Sequence, residues 1–239
     1  MTRLAGVFAM AMALAACPAE RGKVAVDKDS AAPGSSVMKR GEPVRLLGHA
    51  VALGDALPSV ALVDAATMMP VDPSAMRGSV LLLSIVPSID TAVCEAQTHE
   101  LGEKGDRLPK EIRRITISRD TPFAQKRFAK EAKLEDVQFL SDYREGAFGR
   151  ATGLLLEGDM LLARSILVVD REGRIRYIQV VPELSHLPDM ESAFQKAEEL
   201  ARREVLPNAE KFNESQFADA AASQTYSYST GLTSNGGVA

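Results

Sequence analysis

Residues 79–98 read SVLLLSIVPSIDTAVCEAQT, and this stretch decides the fold. Its first part, residues 79–86, is an unbroken apolar run that Pro87 ends. A run of this length is typical of a central strand that is covered on both faces. The polar residues up to Thr91 include several helix-capping types, so we expect a helix to begin there and to carry Cys94 in its first turn.

Strand and helix patterns alternate on both sides of this stretch. An opening hairpin is expected across Gly48 and His49, and a closing hairpin across residues 170–173. The chain is therefore predicted to be an α/β protein whose central mixed sheet is flanked by helices, which resembles the thioredoxin-like pattern. Further strands are predicted at 44–47, 50–53, 60–63, 112–118, 137–140, 164–169 and 175–181, and helices at 122–132, near 145–150 and at 190–205.

Composition and charge argue against two classes of function, nucleic-acid binding and metal binding. The 239 residues include 28 basic and 32 acidic side chains, for a net charge of −4, and the basic residues form no stripe. Nucleic-acid binding is not expected, because it requires clustered Lys and Arg to neutralise phosphates. His49, His99 and His186 are far apart in the sequence and match no metal-ligand spacing, so no metal is expected.

The first 17 residues, MTRLAGVFAMAMALAAC, are interpreted as a signal peptide. Arg3 supplies positive charge, and the apolar run that follows is too short to span a bilayer. The run ends at Cys17 after small residues, which resembles the bacterial lipobox, in which the cysteine is lipidated. The alternatives are an ordinary secretory signal with a chance cysteine, or an unprocessed start of the chain.

A lipobox implies a protein anchored in the bacterial cell envelope. Pro18 follows the cysteine where an Asp commonly marks inner-membrane retention, which favours the periplasmic face of the outer membrane. Residues 18–41 are polar and are predicted to be a flexible linker, and residues 206–239 a disordered tail. Residues 42–205 remain as the folded domain.

The two cysteines have different surroundings. An even count in an exported protein would first suggest a disulfide between Cys17 and Cys94. Lipidation of Cys17 would consume that thiol. Cys94 lies where free N–H groups and the helix dipole favour a thiolate, which is the nucleophilic form. The alternative for Cys94 is a small buried apolar residue in a helix.

Five sequence blocks carry a family resemblance. The first contains the pattern Pro-x-x-x-Thr-x-x-Cys, formed by Pro87, Thr91 and Cys94, and it closely resembles the peroxiredoxin active-site motif. Together the blocks resemble Tpx-type thiol peroxidases over about residues 42–200. They read PSIDTAVCEAQT, ISRDTPFAQKRF, FLSDYR, LLAR and QVVPEL.

This resemblance implies a thioredoxin-like peroxidase that reduces hydrogen peroxide and organic hydroperoxides, without a cofactor and as a homodimer. Cys94 would attack the peroxide, and the hydroxyl of Thr91 would hydrogen-bond the thiolate and the peroxide. Pro87 would shield the sulfur, and Arg164 in the LLAR block would stabilise the developing charge. Taken alone, Thr91 could be a helix cap, Pro87 a strand terminator and Arg164 an ordinary charge at a strand start.

The sequence departs from the family at two places. Ala129 occupies the position where these enzymes commonly carry a resolving cysteine, so we expect a one-cysteine cycle completed by an external thiol or thioredoxin-like reductant. The absence of that cysteine puts direct recycling by thioredoxin in doubt. The loop at residues 157–160 also looks shorter than the family's usual turn, which leaves the placement of Arg164 open.

Two other functions are compatible with these residues. Cys94 could be the redox-sensitive group of an envelope sensor or signalling module, and the lack of a resolving cysteine fits that function too. The chain could also be a non-enzymatic lipoprotein on a peroxiredoxin scaffold. Retention of Pro87, Thr91, Cys94 and Arg164 together argues against this last alternative.

Overall fold

The computed structural model describes residues 24–203. The predicted signal peptide with Cys17, the first linker residues and the predicted tail at 206–239 lie outside the described residues.

Ten strands and four α-helices follow one another in the described part of the chain. The strands are β1 Ser36–Lys39, β2 Glu42–Leu47, β3 Leu62–Asp64, β4 Pro70–Val71, β5 Val80–Ile85, β6 Ile112–Ser118, β7 Val137–Ser141, β8 Leu155–Leu156, β9 Ser165–Val169 and β10 Ile175–Val180. The helices are α1 Ala92–Glu103, α2 Pro122–Ala132, α3 Ala147–Thr152 and α4 Met190–Arg203.

Seven of the strands form one mixed sheet in the order β10-β9-β5-β6-β7-β3-β4. Strands β5, β6 and β7 are parallel, whereas β9 pairs antiparallel with β5 and with β10. The parallel strands end at the same edge of the sheet, so the loops that follow them meet there. The predicted mixed α/β sheet is confirmed.

Both faces of β5 are covered, as its apolar run predicts. Leu81 and Leu83 pack into a core cluster with Phe148 of α3 and with the small sheet β1-β2-β8. Val80 and Leu82 pack on the opposite side with side chains of α1 and α4. All six residues of β5 are buried. This strand is therefore a fixed support for the loop and helix that follow it.

The opening hairpin differs from the prediction. Strand β2 pairs with β1, which precedes it, and not with residues 50–53. The turn is made by Arg40 and Gly41, both with positive φ (54° and 86°), as two-residue hairpin turns require. Gly48 does not reverse the chain. It lies against Arg150, and a Cβ at position 48 would come within 2.1 Å of the Arg150 carbonyl oxygen.

The described part of the predicted linker, residues 24–41, differs from a free tether. Residues 36–39 form β1, and Val26 and Ala31 make single bridges to Leu187 and Val180. Backbone hydrogen bonds hold these residues to the domain, and such bonds need no apolar periodicity in the sequence. The domain therefore begins before residue 42. None of the helices within residues 24–203 is long and apolar enough to cross a membrane.

Leu83→Ala should destabilise the domain strongly, because Leu83 is fully buried in the central strand. We expect the free energy of unfolding to fall by about 2–5 kcal/mol, from lost apolar burial and from the cavity left behind. Leu53→Ala is the matched control, since Leu53 is 65% exposed. It should change stability by less than about 0.5 kcal/mol. Urea denaturation measures both, and equal losses would contradict this assignment of the core.

Candidate active site

Cys94 lies in the first turn of α1, as predicted. Thr91 is the N-cap, so Cys94 is the third residue of the helix. N–H groups at this position have no partner inside the helix, and together with the helix dipole they favour negative charge. The side chain is only 1% exposed. Because the thiol is enclosed, the groups around it determine what can react there.

Apolar side chains form most of this enclosure. Cys94 clusters with Val86 and Ile89 from the loop before the helix, and Ala124 and Phe128 of α2 pack against them. An apolar surrounding alone would favour the neutral thiol over the thiolate, because burial disfavours charge. A compensating charge is therefore needed for Cys94 to act as a nucleophile.

Arg164 supplies that charge. It directly precedes β9 and is 2% exposed. Its guanidinium donates three hydrogen bonds: Nη2 to Cys94 Sγ (3.3 Å), Nη1 to Gln97 Oε1 (2.8 Å) and Nε to the Leu184 carbonyl (3.1 Å). None of these three partners is a carboxylate. A buried cation without a counter-charge is costly, and the Cys94 thiol is the one ionisable group among its three partners.

Gln97 is a site residue that the sequence analysis missed. It lies on α1 three residues after Cys94 and is fully buried. Its Oε1 accepts from Arg164, while its Nε2 donates to Ser84 Oγ of β5 (2.8 Å). The amide therefore ties the guanidinium to the central strand. The sequence shows a polar residue three positions after Cys94, but no sequence pattern identifies Arg164 or Ser84 as the residues that it contacts.

Hydrogen bonds to residues at the end of the neighbouring parallel strand, β6, hold the loop between β5 and α1. Asp120 follows β6, and its two carboxylate oxygens accept from Ser88 Oγ (2.7 Å) and from the Ile89 N–H (2.8 Å). The Val86 N–H also donates to the Ile117 carbonyl at 3.0 Å. These bonds fix the path of the chain into the first turn of α1.

Thr91 and Pro87 lie in this same loop. Thr91 is exposed, and its hydroxyl donates to the Ser88 carbonyl at 3.2 Å. It makes no side-chain bond to the N–H groups of the helix it precedes. Pro87 lies two residues after the end of β5 and is half-buried. The structure thus brings Pro87, Thr91, Cys94 and Arg164 to the carboxyl edge of the sheet.

Ala129 lies outside the Cys94 cluster. It is on α2, next to Phe128, but it packs into the core cluster on the α1 and α4 side of the sheet. Cys94 is free within the described residues. The other cysteine of the sequence, Cys17, lies outside them.

The short loop at residues 157–160 does not displace Arg164. Leu155 and Leu162 form a bridge across it, and the Ala163 N–H donates to the Leu154 carbonyl at 2.8 Å. Met160 takes a positive φ of 55°, which closes the turn. Arg164 lies four residues after Met160, and its guanidinium contacts the Cys94 sulfur.

The carboxyl end of β7 carries a further buried acid, Asp142. Burial raises its pKa, although N–H groups of α3 oppose that shift by donating to the carboxylate. Those donors are the backbone groups of Gly149 (3.1 Å) and Phe148 (3.2 Å). Asp142 therefore organises α3.

No group of three or more His, Cys, Asp or Glu side chains in residues 24–203 is placed to hold a metal ion.

The chain is similar to known proteins over most of its described length. The Redoxin family pattern matches residues 52–194. A thiol peroxidase from Halalkalibacterium halodurans is 39% identical over 163 residues, which is 68% of this chain and 97% of the relative. A thiol peroxidase from Bacillus subtilis is 36% identical over 163 residues, covering 68% and 96%.

Solved structures give the same fold. A peroxiredoxin-like protein from Aquifex aeolicus has a TM-score of 0.66 and 30% identity, with 72% of this chain and 99% of that chain covered. A thiol peroxidase from Chromobacterium violaceum has a TM-score of 0.60 at 19% identity, covering 70% and 98%. The second likeness concerns the fold alone.

The chain therefore belongs to the Redoxin family, whose thioredoxin-like fold it shares. Within that family it is a peroxiredoxin of the thiol peroxidase type, and its activity is that of a peroxidase, an oxidoreductase.

Gln97→Leu should slow the oxidation of Cys94 by peroxide. The substitution removes the acceptor of Arg164 Nη1 and the link to Ser84, so the guanidinium is less firmly held on the sulfur. We expect the second-order rate constant to fall roughly tenfold. Stopped-flow fluorescence or rapid quench measures it. Gln195→Leu, at an exposed position of α4, is the control, and equal rates for the two variants would refute a role for Gln97.

Proposed function

We propose that this protein reduces hydrogen peroxide and small organic hydroperoxides through Cys94, with Thr91, Pro87 and Arg164 as the supporting residues. The observation that carries the proposal is the 3.3 Å contact between Arg164 Nη2 and Cys94 Sγ, made by a buried guanidinium that has no carboxylate among its three partners. The contact favours the thiolate where a peroxide would have to react.

In the oxidative step, the Cys94 thiolate attacks the terminal oxygen of the peroxide. A sulfur–oxygen bond forms as the O–O bond breaks, and its electron pair leaves on the second oxygen. That oxygen takes a proton and departs as water or an alcohol, and Cys94 becomes a sulfenic acid. Arg164 is placed to stabilise the negative charge that shifts from sulfur to the leaving oxygen.

Thr91 and Pro87 shape the approach to the sulfur. Thr91 lies three residues before Cys94, a spacing that brings side chains together at the start of a helix. We propose that its hydroxyl turns from the Ser88 carbonyl to hydrogen-bond the peroxide. Pro87 has no N–H and a fixed φ, so it keeps the loop beside the pocket rigid.

In the reductive step, an external thiol attacks the sulfenic sulfur, which releases water and leaves a mixed disulfide with Cys94. A second thiol then attacks the partner sulfur and frees Cys94, so two thiols are oxidised to one disulfide per peroxide reduced. Support for this one-cysteine cycle comes from Ala129 at the resolving position and from the absence of a second cysteine in residues 24–203.

Stopped-flow mixing with hydrogen peroxide tests the oxidative step. The wild-type chain should form one equivalent of sulfenic acid much faster than free cysteine does, because Arg164 favours the reactive thiolate. Cys94→Ser should form none. Arg164→Met should retain the thiol but react at least roughly a hundredfold more slowly. Oxidation of the wild-type chain at the rate of free cysteine would sink the proposal.

Steady-state turnover tests the reductive step. A one-cysteine cycle predicts turnover with dithiothreitol, a small dithiol, and poor turnover with a thioredoxin system. Efficient thioredoxin-driven turnover would contradict it. Rapid oxidation without turnover by any thiol would instead favour the sensor function for Cys94.

We also propose that the chain is lipid-anchored through Cys17 in the bacterial cell envelope, on the periplasmic face of the outer membrane. The support is the sequence around Cys17: a short apolar run, small residues before the cysteine, and Pro18 after it. Anchoring would place the peroxidase beside the membrane surface, where organic hydroperoxides of lipids arise.

Cys17→Ala should release the protein from the membrane fraction, because no acyl chain can then be attached. Immunoblotting of soluble, inner-membrane and outer-membrane fractions measures the distribution. Cys94→Ser is the matched control, since it removes the other cysteine and should leave the distribution unchanged. Retention of Cys17→Ala in the membrane fraction would refute the anchor.

A further inference from the structure

The backbone of residues 25–31, here called the N-terminal segment, lies along the connection between β10 and α4. The Leu187 N–H donates to the Ala25 carbonyl (2.7 Å), and the Asp27 N–H donates to the Leu187 carbonyl (2.9 Å). At its other end, the Ala31 N–H donates to the Val180 carbonyl (2.8 Å). The segment is therefore attached at both ends to residues more than a hundred positions later in the chain.

Side chains add to these backbone bonds. Gln179 Nε2 donates to the carbonyls of Asp27 (2.8 Å) and Asp29 (3.2 Å). Ser30 Oγ accepts from the Val180 N–H at 3.0 Å, and His186 Nδ1 lies 2.9 Å from Asp27 Oδ1. Gln179 is itself buried. The side chains of Gln179 and His186 and the Val180 N–H thus contact the N-terminal segment from one stretch, residues 179–187.

That same stretch holds Arg164. The Leu184 carbonyl accepts from Arg164 Nε at 3.1 Å, and the Val181 N–H donates to the Arg164 carbonyl at 2.9 Å. Leu184 is further fixed by β1, because its N–H donates to the Met38 carbonyl at 2.9 Å. Residues 179–187 therefore contact both Arg164 and the N-terminal segment.

We propose that the N-terminal segment is a positioning element for Arg164, acting through the Leu184 carbonyl. The proposal rests on the proposed role of Arg164 in the oxidation of Cys94. A guanidinium is planar and rigid, so its three hydrogen bonds are geometrically linked. When the acceptor of Nε shifts, the direction of Nη2 toward the Cys94 sulfur shifts with it. A displacement of about 1 Å at a reacting group is enough to slow a reaction substantially.

Asp27→Pro in the full-length chain tests the proposal. Proline has no N–H and no carboxylate, so the bond to the Leu187 carbonyl and the contact with His186 are both lost, while the Arg164 side chain and Cys94 are untouched. We expect the rate constant for Cys94 oxidation by hydrogen peroxide to fall roughly threefold to tenfold. Lys28→Pro is the matched control, because the Lys28 N–H makes none of the bonds described above. It should stay within about twofold of wild type.

The same pair of chains in an Arg164→Met background separates positioning from a general loosening of the domain. If the N-terminal segment acts through Arg164, Asp27→Pro has no further effect once the guanidinium is gone. The same fold-loss in both backgrounds would overturn the proposal, as would a wild-type rate for Asp27→Pro. If circular dichroism shows that Asp27→Pro is unfolded, the double variant Asp27→Ala/Ser30→Ala is judged by the same two criteria, since it removes the side-chain contacts of the N-terminal segment with His186 and with the Val180 N–H.

Failure of this inference is distinguishable from failure of the proposed function. Slow oxidation of the wild-type chain overturns both. Rapid oxidation of the wild-type chain together with an unaffected Asp27→Pro variant overturns only the role of the N-terminal segment.

Discussion

The hydrogen bond from Arg164 to the Cys94 sulfur is the interaction on which the site depends. A guanidinium that is 2% exposed is tolerated only if each of its edges has a partner and its charge is balanced. Gln97 and the Leu184 carbonyl satisfy two edges, and the sulfur satisfies the third. The sulfur is the one ionisable group among these three partners. The packing of Arg164 and the chemistry of Cys94 therefore depend on the same three hydrogen bonds.

The fold makes the contact between Arg164 and Cys94 possible by bringing separate elements to one edge of the sheet. Strand β5 ends in the loop that starts α1, which gives Cys94 its place at a helix N-terminus. Asp120, at the end of the adjacent parallel strand, holds that loop by two hydrogen bonds. Strand β9 runs antiparallel to β5, so its first residue, and Arg164 just before it, lie at the same edge. Two parallel strands and one antiparallel strand are needed for the geometry.

Sequence patterns predicted the parts of this architecture that are local. The buried strand β5, the start of α1 and the whole of α2 follow from apolar runs, capping residues and Pro122. Contacts between residues that are distant in the sequence produce no such pattern. Arg164 lies 70 residues from Cys94, and only the family resemblance singled it out. Gln97 was missed because a glutamine on a helix usually faces solvent, and β1 was missed because Arg40 adopts a positive φ that its residue type rarely takes.

The attachment of residues 25–31 to residues 179–187 also bears on the order in which the protein folds. The contact between His186 and Asp27 joins positions 159 apart, which gives it one of the longest sequence separations in the domain. Contacts of such high contact order close late, because the loop-closure entropy is lost before the contact rewards it. Residues 25–31, which are synthesised early, can therefore reach their native contacts only after residues 179–187 have been synthesised. Cys94 lies in a helix made of local contacts, yet the surroundings of Arg164, which bonds its sulfur, are complete only when both ends of the described domain have met.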